Sequence, residues 1–347
     1  MKKFTEIGQF RNVVKELRTN HDYKGSDADG NPIYSHDTPY PTLTFRGTVK
    51  LHGSNSSIAK YYHRADSEHV GDYFTHEFQS RERVLNLDEK DGDNCGFMRE
   101  MVQKDYQNLF NNIDFKESCV IYGEICGKGV QKGVAIAQLP KMFIIFAVRI
   151  DDVYQDMANF AHLKNEAQQI YNIMQFKTYS IDVDFNKPEL IQNKIVELTL
   201  EVEDECPVGK YFGVSDIGEG IVFSHINENK KSYSFKSKGL KHAGKSKVKV
   251  LHEVDNDKIN ALTELAETVT PTWRLEQMLT DACDLNNGGQ IDRKHMGTYI
   301  KMVVADIQKE DIDIISEAGY VLKDIGKYVS EIAKLYFFEQ ENNQIFN

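Results

Sequence analysis

The sequence of 347 residues lacks any apolar run that approaches 18 residues, so we expect no membrane-spanning helix. Its opening stretch, MKKFTEIGQFRNVV, lacks the apolar core and small-residue cleavage site of a secretory signal. Only five cysteines occur, and they do not fall in the close pairs that bind metals. These absences predict a cytoplasmic protein with free thiols and no contact with a membrane.

Basic residues are outnumbered overall but are concentrated in one stretch. The net charge is −11, and residues 251–347 hold nine Lys and Arg against eighteen Asp and Glu. Residues 230–250, in contrast, hold eight lysines and no acidic residue. A basic stretch inside an acidic protein predicts a local anion site, such as one for phosphate, more than a broad nucleic-acid surface. A solvated basic loop is the alternative interpretation.

The pattern of apolar residues changes near residue 250. Before it, strands are predicted at 42–50, 56–62, 118–125, 142–150, 220–225, 232–237 and 247–253, with helices at about 97–112, 153–173 and 187–203. Beyond it the spacing is helical, as in Ile325, Val329, Ile332 and Tyr336. We therefore expect an α+β domain over 1–250 and a small all-helical domain over 251–347.

One stretch matches a phosphate-binding motif by its letters. Residues 239–246, GLKHAGKS, fit G-x-x-x-x-G-K-[ST], which would make Lys245 a phosphate ligand. Such a loop needs a helix directly after it, because the helix N-terminus supplies the N–H groups and the dipole that bind phosphate. The following KVKVLHEV alternates like a strand, so the sequence favours a chance match. A nucleotide-binding module that uses Lys245 remains an alternative.

Six short motifs follow one another in a fixed order and suggest a different nucleotide site. Each places a charged or aromatic residue at the end of a strand or beside a glycine turn, and each is weak by itself. The two lysines of the last motif are two positions apart, so they share one face of a strand. The motifs are Lys50-Leu-His52-Gly53, Ser80-Arg81, Gly123-Glu124, Phe146, Glu219-Gly-Ile-Val222 and Lys236-Ser-Lys238.

In this order the motifs resemble those of the covalent nucleotidyltransferases, which include polynucleotide ligases and mRNA capping enzymes. His52, with Asn55 close behind it, is similar to the T4 RNA ligase 2 family. The resemblance spans about residues 40–240, and the helical pattern beyond 250 suits that family. Val49 departs from it, since many members carry Glu directly before the nucleophile.

The resemblance implies an ATP-dependent RNA ligase, with an adenylyltransferase domain of antiparallel sheets and helices over 1–250 and a helical C-terminal domain over 251–347. Such an enzyme would join RNA 3′-OH and 5′-phosphate ends through lysyl-AMP and RNA-adenylate intermediates, with Mg²⁺ or Mn²⁺, in RNA repair. The resemblance also implies Lys50 as the nucleophile. Lys236 and Lys238 would be the cations that activate Lys50 and stabilise the α-phosphate, and Glu219 would be the carboxylate on the side of the metal. A lysine attacks only when deprotonated, and neighbouring cations favour the neutral amine.

The remaining roles follow from the same resemblance. The nucleotide contacts are Glu124 on the ribose, Phe146 on adenine, Arg81 on ribose or RNA phosphate, and His52 and Gly53 in the turn. Arg83 is a second candidate for the arginine, although Arg81 follows Ser as in the family. Asn55, Arg83 and Arg274 are candidate RNA contacts.

The broader expectations are a monomer that binds RNA, and a phage-encoded enzyme acting in the host cytoplasm fits the resemblance. Two alternatives besides the Lys245 module stay open: an ATP-dependent DNA ligase, and an RNA-binding protein without catalysis. A DNA ligase would continue into a β-barrel after residue 250. An RNA-binding protein without catalysis would not need an intact lysine and two glutamates.

Overall fold

The computed structural model describes residues 1–27, 30–36, 38–226, 232–242, 253–287 and 291–346. The chain forms two compact units. The first comprises Met1–Val13, Thr42–Val183 and the described residues of Ile191–His252. The second comprises the described residues of Val14–Pro41, Asp184–Leu190 and Glu253–Asn347.

The strands of the described residues include both long core strands and short edge pieces. In chain order they are β1 (Tyr23–Ser26), β2 (Pro32–Tyr34), β3 (Thr42–Val49), β4 (Ser54–His63), β5 (Tyr73–Ser80), β6 (Ser118–Cys126), β7 (Met142–Ile150), β8 (Val153–Tyr154), β9 (Ile170–Asn172), β10 (Thr178–Asp184), β11 (Gly220–Ile226) and β12 (Ser232–Lys238).

The α-helices of the described residues are concentrated in the second half of the chain. They are α1 (Phe10–Asp22), α2 (Phe97–Met101), α3 (Gln192–Asp204), α4 (Pro207–Tyr211), α5 (Asn256–Val269), α6 (Thr272–Asn287), α7 (Met296–Glu310), α8 (Ile312–Glu317) and α9 (Leu322–Phe346). Short 3₁₀ turns connect several of these elements. No described helix is both long enough and apolar enough to cross a membrane.

Two sheets build the first unit. One has the order β10-β3-β11-β12, and the other has the order β5-β4-β6-β7-β8, with β9 pairing in parallel to β7. Strand β6 is central in the second sheet, and each of its residues except Glu124 is buried. Strands β10 and β12 instead alternate buried and accessible residues, so each has one face on the core and one face toward solvent.

The second unit has a helical core. Tyr299, Val303 and Ile307 of α7 and Ile325 and Val329 of α9 are fully buried, as their spacing predicts. The described residues from 253 onward contain helices and no strand. This arrangement confirms the α+β class with helices toward the C-terminus.

The structure confirms most predicted strands and corrects other predictions. The strands predicted between 42 and 62, at 118–125, at 142–150 and at 220–237 are present, and α3 confirms the helix near 187–203. The helix predicted at 153–173 is wrong, because that segment contains β8, β9 and 3₁₀ turns. The helix at 97–112 consists of the short α2 and a 3₁₀ turn. The strand predicted at 247–253 lies almost wholly outside the described residues.

The boundary between the units is less simple than a division at residue 250. Segments 14–41 and 184–190 belong to the helical unit, although both precede residue 250 in the chain. The domains 1–250 and 251–347 therefore stay a prediction about folding units. A cut at 250 would separate these two segments from the helices they pack with.

Candidate active site

Lys50 directly follows β3, and its position is set by the backbone. Its N–H donates to the carbonyl of Gly220 (2.8 Å), which continues the antiparallel pairing of β3 with β11. The chain then crosses to the second sheet, where β4 begins at Ser54. Lys50 therefore stands on a rigid strand end, where the two sheets of the first unit meet.

Glu219 contacts three of the other candidate residues. Its carboxylate accepts from Lys50 Nζ (2.8 Å) and His52 Nδ1 (3.2 Å) on Oε2, and pairs with Lys238 Nζ (2.7 Å) on Oε1. Glu219 is only 4% exposed, and burial raises its pKa. The hydrogen bonds from His52, Lys238 and Lys50, together with the Lys50 charge, outweigh burial and hold the pKa well below its usual range. Glu219 is therefore an anion that gathers two ammonium groups.

The glycine after Glu219 is required by the backbone. Gly220 has φ +142, and a Cβ there would lie 2.1 Å from the Ser237 carbonyl oxygen. A larger residue would therefore strain the backbone and push β11 away from β12. The close approach of these strands brings Glu219 beside Lys238, since Gly220 pairs with Lys238.

Lys236 and Lys238 extend from the same face of β12, as their spacing predicts. Between them, Ser237 is buried and accepts from Thr199 Oγ1 of α3 (2.8 Å), so the opposite face of the strand packs on the helix. Burial lowers the pKa of Lys236, and the charges of Lys50 and Lys238 lower it further. The three lysines are therefore close enough to influence one another.

Glu124 approaches this cluster from the other sheet. Burial raises its pKa to about 8, and the negative charge of Glu219 adds to this, while Lys50 opposes it. The N–H of Gly53 donates to the Glu124 carboxylate. A Cβ on Gly53 would lie 2.3 Å from the Ile125 carbonyl oxygen and 2.8 Å from Glu124 Cγ. The turn after Lys50 thus needs glycine so that it can lie against β6.

Phe146 occupies an irregular position in β7. Tyr122 pairs with Ala147 and Gly123 pairs with Ile145, so Phe146 is the extra residue of a β-bulge and has no cross-strand partner on β6. A Cβ on Gly123 would lie 2.4 Å from the Phe143 ring. Phe146 is partly exposed, in contrast to the buried residues before it on the strand. The bulge therefore presents an aromatic ring beside the strand that carries Glu124.

The two candidate arginines differ in their surroundings. The Arg83 guanidinium donates to the backbone carbonyls of Asp91 and Asp93, so it holds a loop together. Arg81 is exposed and lies near Glu6 (3.8 Å), and its charge lowers the pKa of both Glu124 and Lys236. Of the two, Arg81 is the one whose charge reaches the lysine cluster.

The other candidate RNA contacts fall in different places. Asn55 is opposite Glu124 in the pairing of β4 with β6, so the two share a face of the sheet. Arg274 lies in the other unit, is only 2% exposed, and binds Asp306 and Asp311 with its guanidinium. The prediction that Arg274 contacts RNA is therefore corrected to a structural role, because a buried and paired guanidinium cannot reach a phosphate.

Potential metal ligands occur in two places among the described residues. At the lysine cluster, Glu219 and Glu124 supply carboxylates, which suit Mg²⁺ and Mn²⁺. In the second unit, His21, Asp22 and His36 bring their ligand atoms within 4.8 Å of one another. Hydrogen bonds account for this group, since Asp22 Oδ1 lies 3.1 Å from His21 Nδ1 and 3.0 Å from His36 Nδ1. The positions of these three residues in the sequence follow no metal-binding motif, so the group was not among the predicted sites.

Lys245 and residues 243–252 lie outside the described residues, so the structure does not test the predicted strand after GLKHAGKS. The first part of that stretch follows β12 and forms a 3₁₀ turn over Leu240–His242. A Cβ on Gly239 would lie 2.1 Å from Glu203 Oε1. This glycine is thus explained by packing against α3.

The fold and the cluster of lysines and glutamates together define the class of this protein. A family model described as RNA ligase matches residues 43–238, a range that contains Lys50, Glu124, Glu219 and Lys238. The chain therefore belongs to the RNA ligase family. Membership in its T4 RNA ligase 2 branch stays a prediction.

Solved structures of an RNA ligase from Naegleria gruberi are similar to this chain. The structure with PPi is 18% identical with a TM-score of 0.43, a mutant with AMP and Mn is 15% identical with a TM-score of 0.43, and a mutant with ATP and Mn is 16% identical with a TM-score of 0.43. Each match covers 71% of this chain and 58% of the other, so this chain spans less than two thirds of the length of those ligases. No curated protein matches the chain.

Proposed function

We propose that the protein is an ATP-dependent RNA ligase that joins RNA 3′-OH and 5′-phosphate ends through a lysyl-AMP intermediate on Lys50. The observation that carries this proposal is the position of Lys50 Nζ, which lies 2.8 Å from a buried carboxylate whose other oxygen pairs with Lys238. A primary amine on a rigid strand end, beside a second cation, suits attack on a phosphate.

In the first step the neutral amine of Lys50 attacks the α-phosphorus of ATP. A P–N bond forms, the bond to the bridging oxygen breaks, pyrophosphate leaves, and the attacking nitrogen releases one proton to the solvent. Lys236 and Lys238 would stabilise the negative charge that develops on the α-phosphate, since both lie on one face of β12. The Lys50–Glu219 ion pair must open before this attack.

In the second step an oxygen of the RNA 5′-phosphate attacks the same phosphorus, and the P–N bond breaks as Lys50 regains a proton. In the third step the RNA 3′-OH attacks the 5′-phosphorus, forms the phosphodiester and releases AMP. Arg81, which is exposed beside the lysine cluster, is the proposed RNA phosphate contact in these steps, and Asn55 is a second.

Glu124 and Phe146 would hold the nucleoside in place, and His52 would act beside them on Glu219. Glu124 is the proposed partner of the ribose hydroxyls, and Phe146 is the proposed stacking partner of adenine. His52 is 3.2 Å from Glu219, so its role here is to hold that carboxylate in orientation.

A divalent cation, Mg²⁺ or Mn²⁺, fits Glu219, and also Glu124 once its carboxyl has lost its proton, because such ions bind one or two carboxylates together with phosphate oxygens and waters. When bound, it would neutralise the charge of the phosphates. Both oxygens of Glu219 contact Lys50, His52 or Lys238, so a cation there would replace at least one of these partners.

The alternatives receive less support. A DNA ligase would continue into a β-barrel, whereas the described residues from 253 onward form helices. A phosphate loop at Lys245 would not explain why Glu219 is buried between Lys50 and Lys238.

The test is labelling of the full chain with α-labelled ATP and Mg²⁺, followed by a denaturing gel and peptide mapping. We expect covalent AMP on Lys50 that survives denaturation and alkali but is released by hot acid, as a P–N bond is. Addition of a nicked RNA duplex with a 5′-phosphate should then remove the label from the protein and seal the nick. Label on another residue, or no label at all, would refute the proposal. Sealing of a DNA nick at an equal rate would favour the DNA ligase.

A further inference from the structure

The N-terminal segment, Met1–Gly8, is attached to the sheet that carries Phe146. The Lys2 N–H donates to Gln79 Oε1 (3.3 Å), and the Tyr122 hydroxyl donates to the Lys2 carbonyl (2.8 Å). Further on, the Thr5 N–H donates to the Tyr154 hydroxyl (3.0 Å). These contacts involve the backbone of the segment, so they fix its path and not only its side chains.

Phe4 lies between these attachment points, in a cluster of aromatic rings. Its ring centroid is 5.1 Å from that of Phe146 at an interplanar angle of 75°, 5.2 Å from Tyr122, and 5.6 Å from Tyr154. Phe146 itself is the bulged residue of β7, so it has no Cα partner on β6, and its ring packs against the cluster of Ala59, Val120 and Tyr122 as well as against Phe4. Phe4 of the N-terminal segment therefore gives the Phe146 ring a contact that strand pairing does not provide.

The other end of the segment reaches the sheet that carries the lysines. Gly8 forms a parallel bridge to Phe235 of β12, and the Lys236 N–H donates to the Gly8 carbonyl (3.1 Å). Between the two ends, Glu6 lies 3.8 Å from Arg81. Eight residues thus connect the strand of Phe146 to the strand of Lys236 and Lys238 within one unit.

We propose that Met1–Gly8 forms part of the nucleotide pocket, and that Phe4 is a positioning residue that orients the Phe146 ring for stacking on the base. This inference rests on the proposed function, because it takes Phe146 as the partner of adenine. Phe4 acts through Phe146 and has no role at the phosphates. Its removal should therefore affect binding of the nucleoside and leave the attack on phosphorus intact.

The experiment measures self-adenylylation of the full chain over a range of ATP concentrations, for the wild type and Phe4→Ala. Aromatic pairs contribute enough to change binding about twofold to tenfold. We expect the ATP concentration at half-maximal rate to rise within that range in Phe4→Ala, with the maximal rate unchanged. In Phe4→Tyr the ATP concentration at half-maximal rate should stay at the wild-type value, whereas in Phe4→Leu it should rise. Phe115→Ala, which removes another partly buried ring of the same unit, is the control and should leave the half-maximal concentration unchanged.

The reverse reaction separates positioning from general damage. Pyrophosphate discharges lysyl-AMP and carries no base, so its half-maximal concentration should be the same in Phe4→Ala and the wild type. A rise for pyrophosphate equal to that for ATP would overturn the inference, as would an unchanged or lower ATP concentration in Phe4→Ala. A lower value would mean that Phe4 covers the base site. If the wild type takes no AMP at all, the proposed function fails, and the inference fails with it.

Discussion

Lys50 Nζ donates a hydrogen bond to Glu219 Oε2 across 2.8 Å, although the two residues are 169 positions apart in the chain. The contact joins the end of β3 to the start of β11, which are neighbours in one sheet. Glu219 is buried and remains ionised, so it holds the ammonium group in one place. In the proposed mechanism this contact opens before the amine attacks, so the proposed role of Glu219 is to position Lys50 and then release it.

The first prediction concerns Lys50 itself. Lys50→Ala should form no covalent AMP adduct, and Lys50→Arg should also fail because a guanidinium stays protonated and cannot attack. The measurement is retention of α-labelled AMP on a denaturing gel. Lys194→Ala, which removes an exposed lysine paired with Glu197, should label like the wild type. Label on Lys50→Ala would assign the nucleophile to another residue.

The second prediction compares two lysines of the basic stretch. Lys238→Ala should slow adduct formation about 100-fold or more, because a fixed cation at the developing charge is lost. Lys245→Ala should keep most of the wild-type rate if GLKHAGKS is not a phosphate loop. The rates are measured in a single turnover at saturating ATP. The reverse ranking would support the Lys245 alternative over the site around Glu219.

The third prediction is a dependence of stability on pH. Burial raises the pKa of Glu124 to about 8, whereas an unfolded chain releases this proton at about pH 4.3. Between these values the folded protein holds a proton that the unfolded chain does not, so the contribution of Glu124 to stability falls as the pH rises. Glu124→Gln cannot titrate. Its melting temperature relative to the wild type should therefore rise between pH 5 and pH 8.

Thermal melts of the full chain at several pH values test this. Glu68→Gln, which changes an exposed glutamate, should show no such trend relative to the wild type. A melting-temperature difference for Glu124→Gln that stays constant, or that falls with pH, would contradict a raised pKa for Glu124.

The fourth prediction concerns the turn after Lys50. Gly53→Ala should destabilise the protein by about 1–3 kcal/mol, because the new Cβ would lie 2.3 Å from a backbone oxygen of β6 that cannot move freely. It should also slow adduct formation, since the turn connects Lys50 to Glu124. Gly71→Ala is the matched control, because a Cβ there meets no atom within 4 Å. Denaturant melts give the free energies of unfolding. Equal free energies for the two variants would show that the Cβ added at residue 53 does not clash with β6.

The fifth prediction separates the two arginines. Arg81→Ala should lower the rate of AMP transfer to RNA by about tenfold, the effect of losing one contact to a charged group. Arg83→Ala should instead lower the melting temperature, because the carbonyls of Asp91 and Asp93 lose their donor. Transfer is followed as the discharge of labelled lysyl-AMP by nicked RNA. If Arg83→Ala blocks transfer while Arg81→Ala does not, the roles are exchanged.

The sequence by itself determined the local features of the site. The resemblance of the ordered motifs to the nucleotidyltransferases singled out Lys50, Gly53, Glu219 and the pair Lys236 and Lys238. The local pattern placed these residues at strand ends, in a turn and at alternate positions of one strand, because such features depend on neighbours a few residues away. Periodicity likewise predicted the helical core of the second unit. Where periodicity was absent, as at 153–173, the sequence led to a wrong helix, because short strands and 3₁₀ turns leave no regular apolar pattern.

Only the tertiary structure decided which distant groups meet. It placed Glu219 between Lys50 and Lys238, Phe4 against Phe146, and Arg274 in a buried ion-pair network. It also assigned segments 14–41 and 184–190 to the helical unit. No local pattern encodes these contacts, since burial and pairing depend on how strands far apart in the chain align and on which charges are removed from water together.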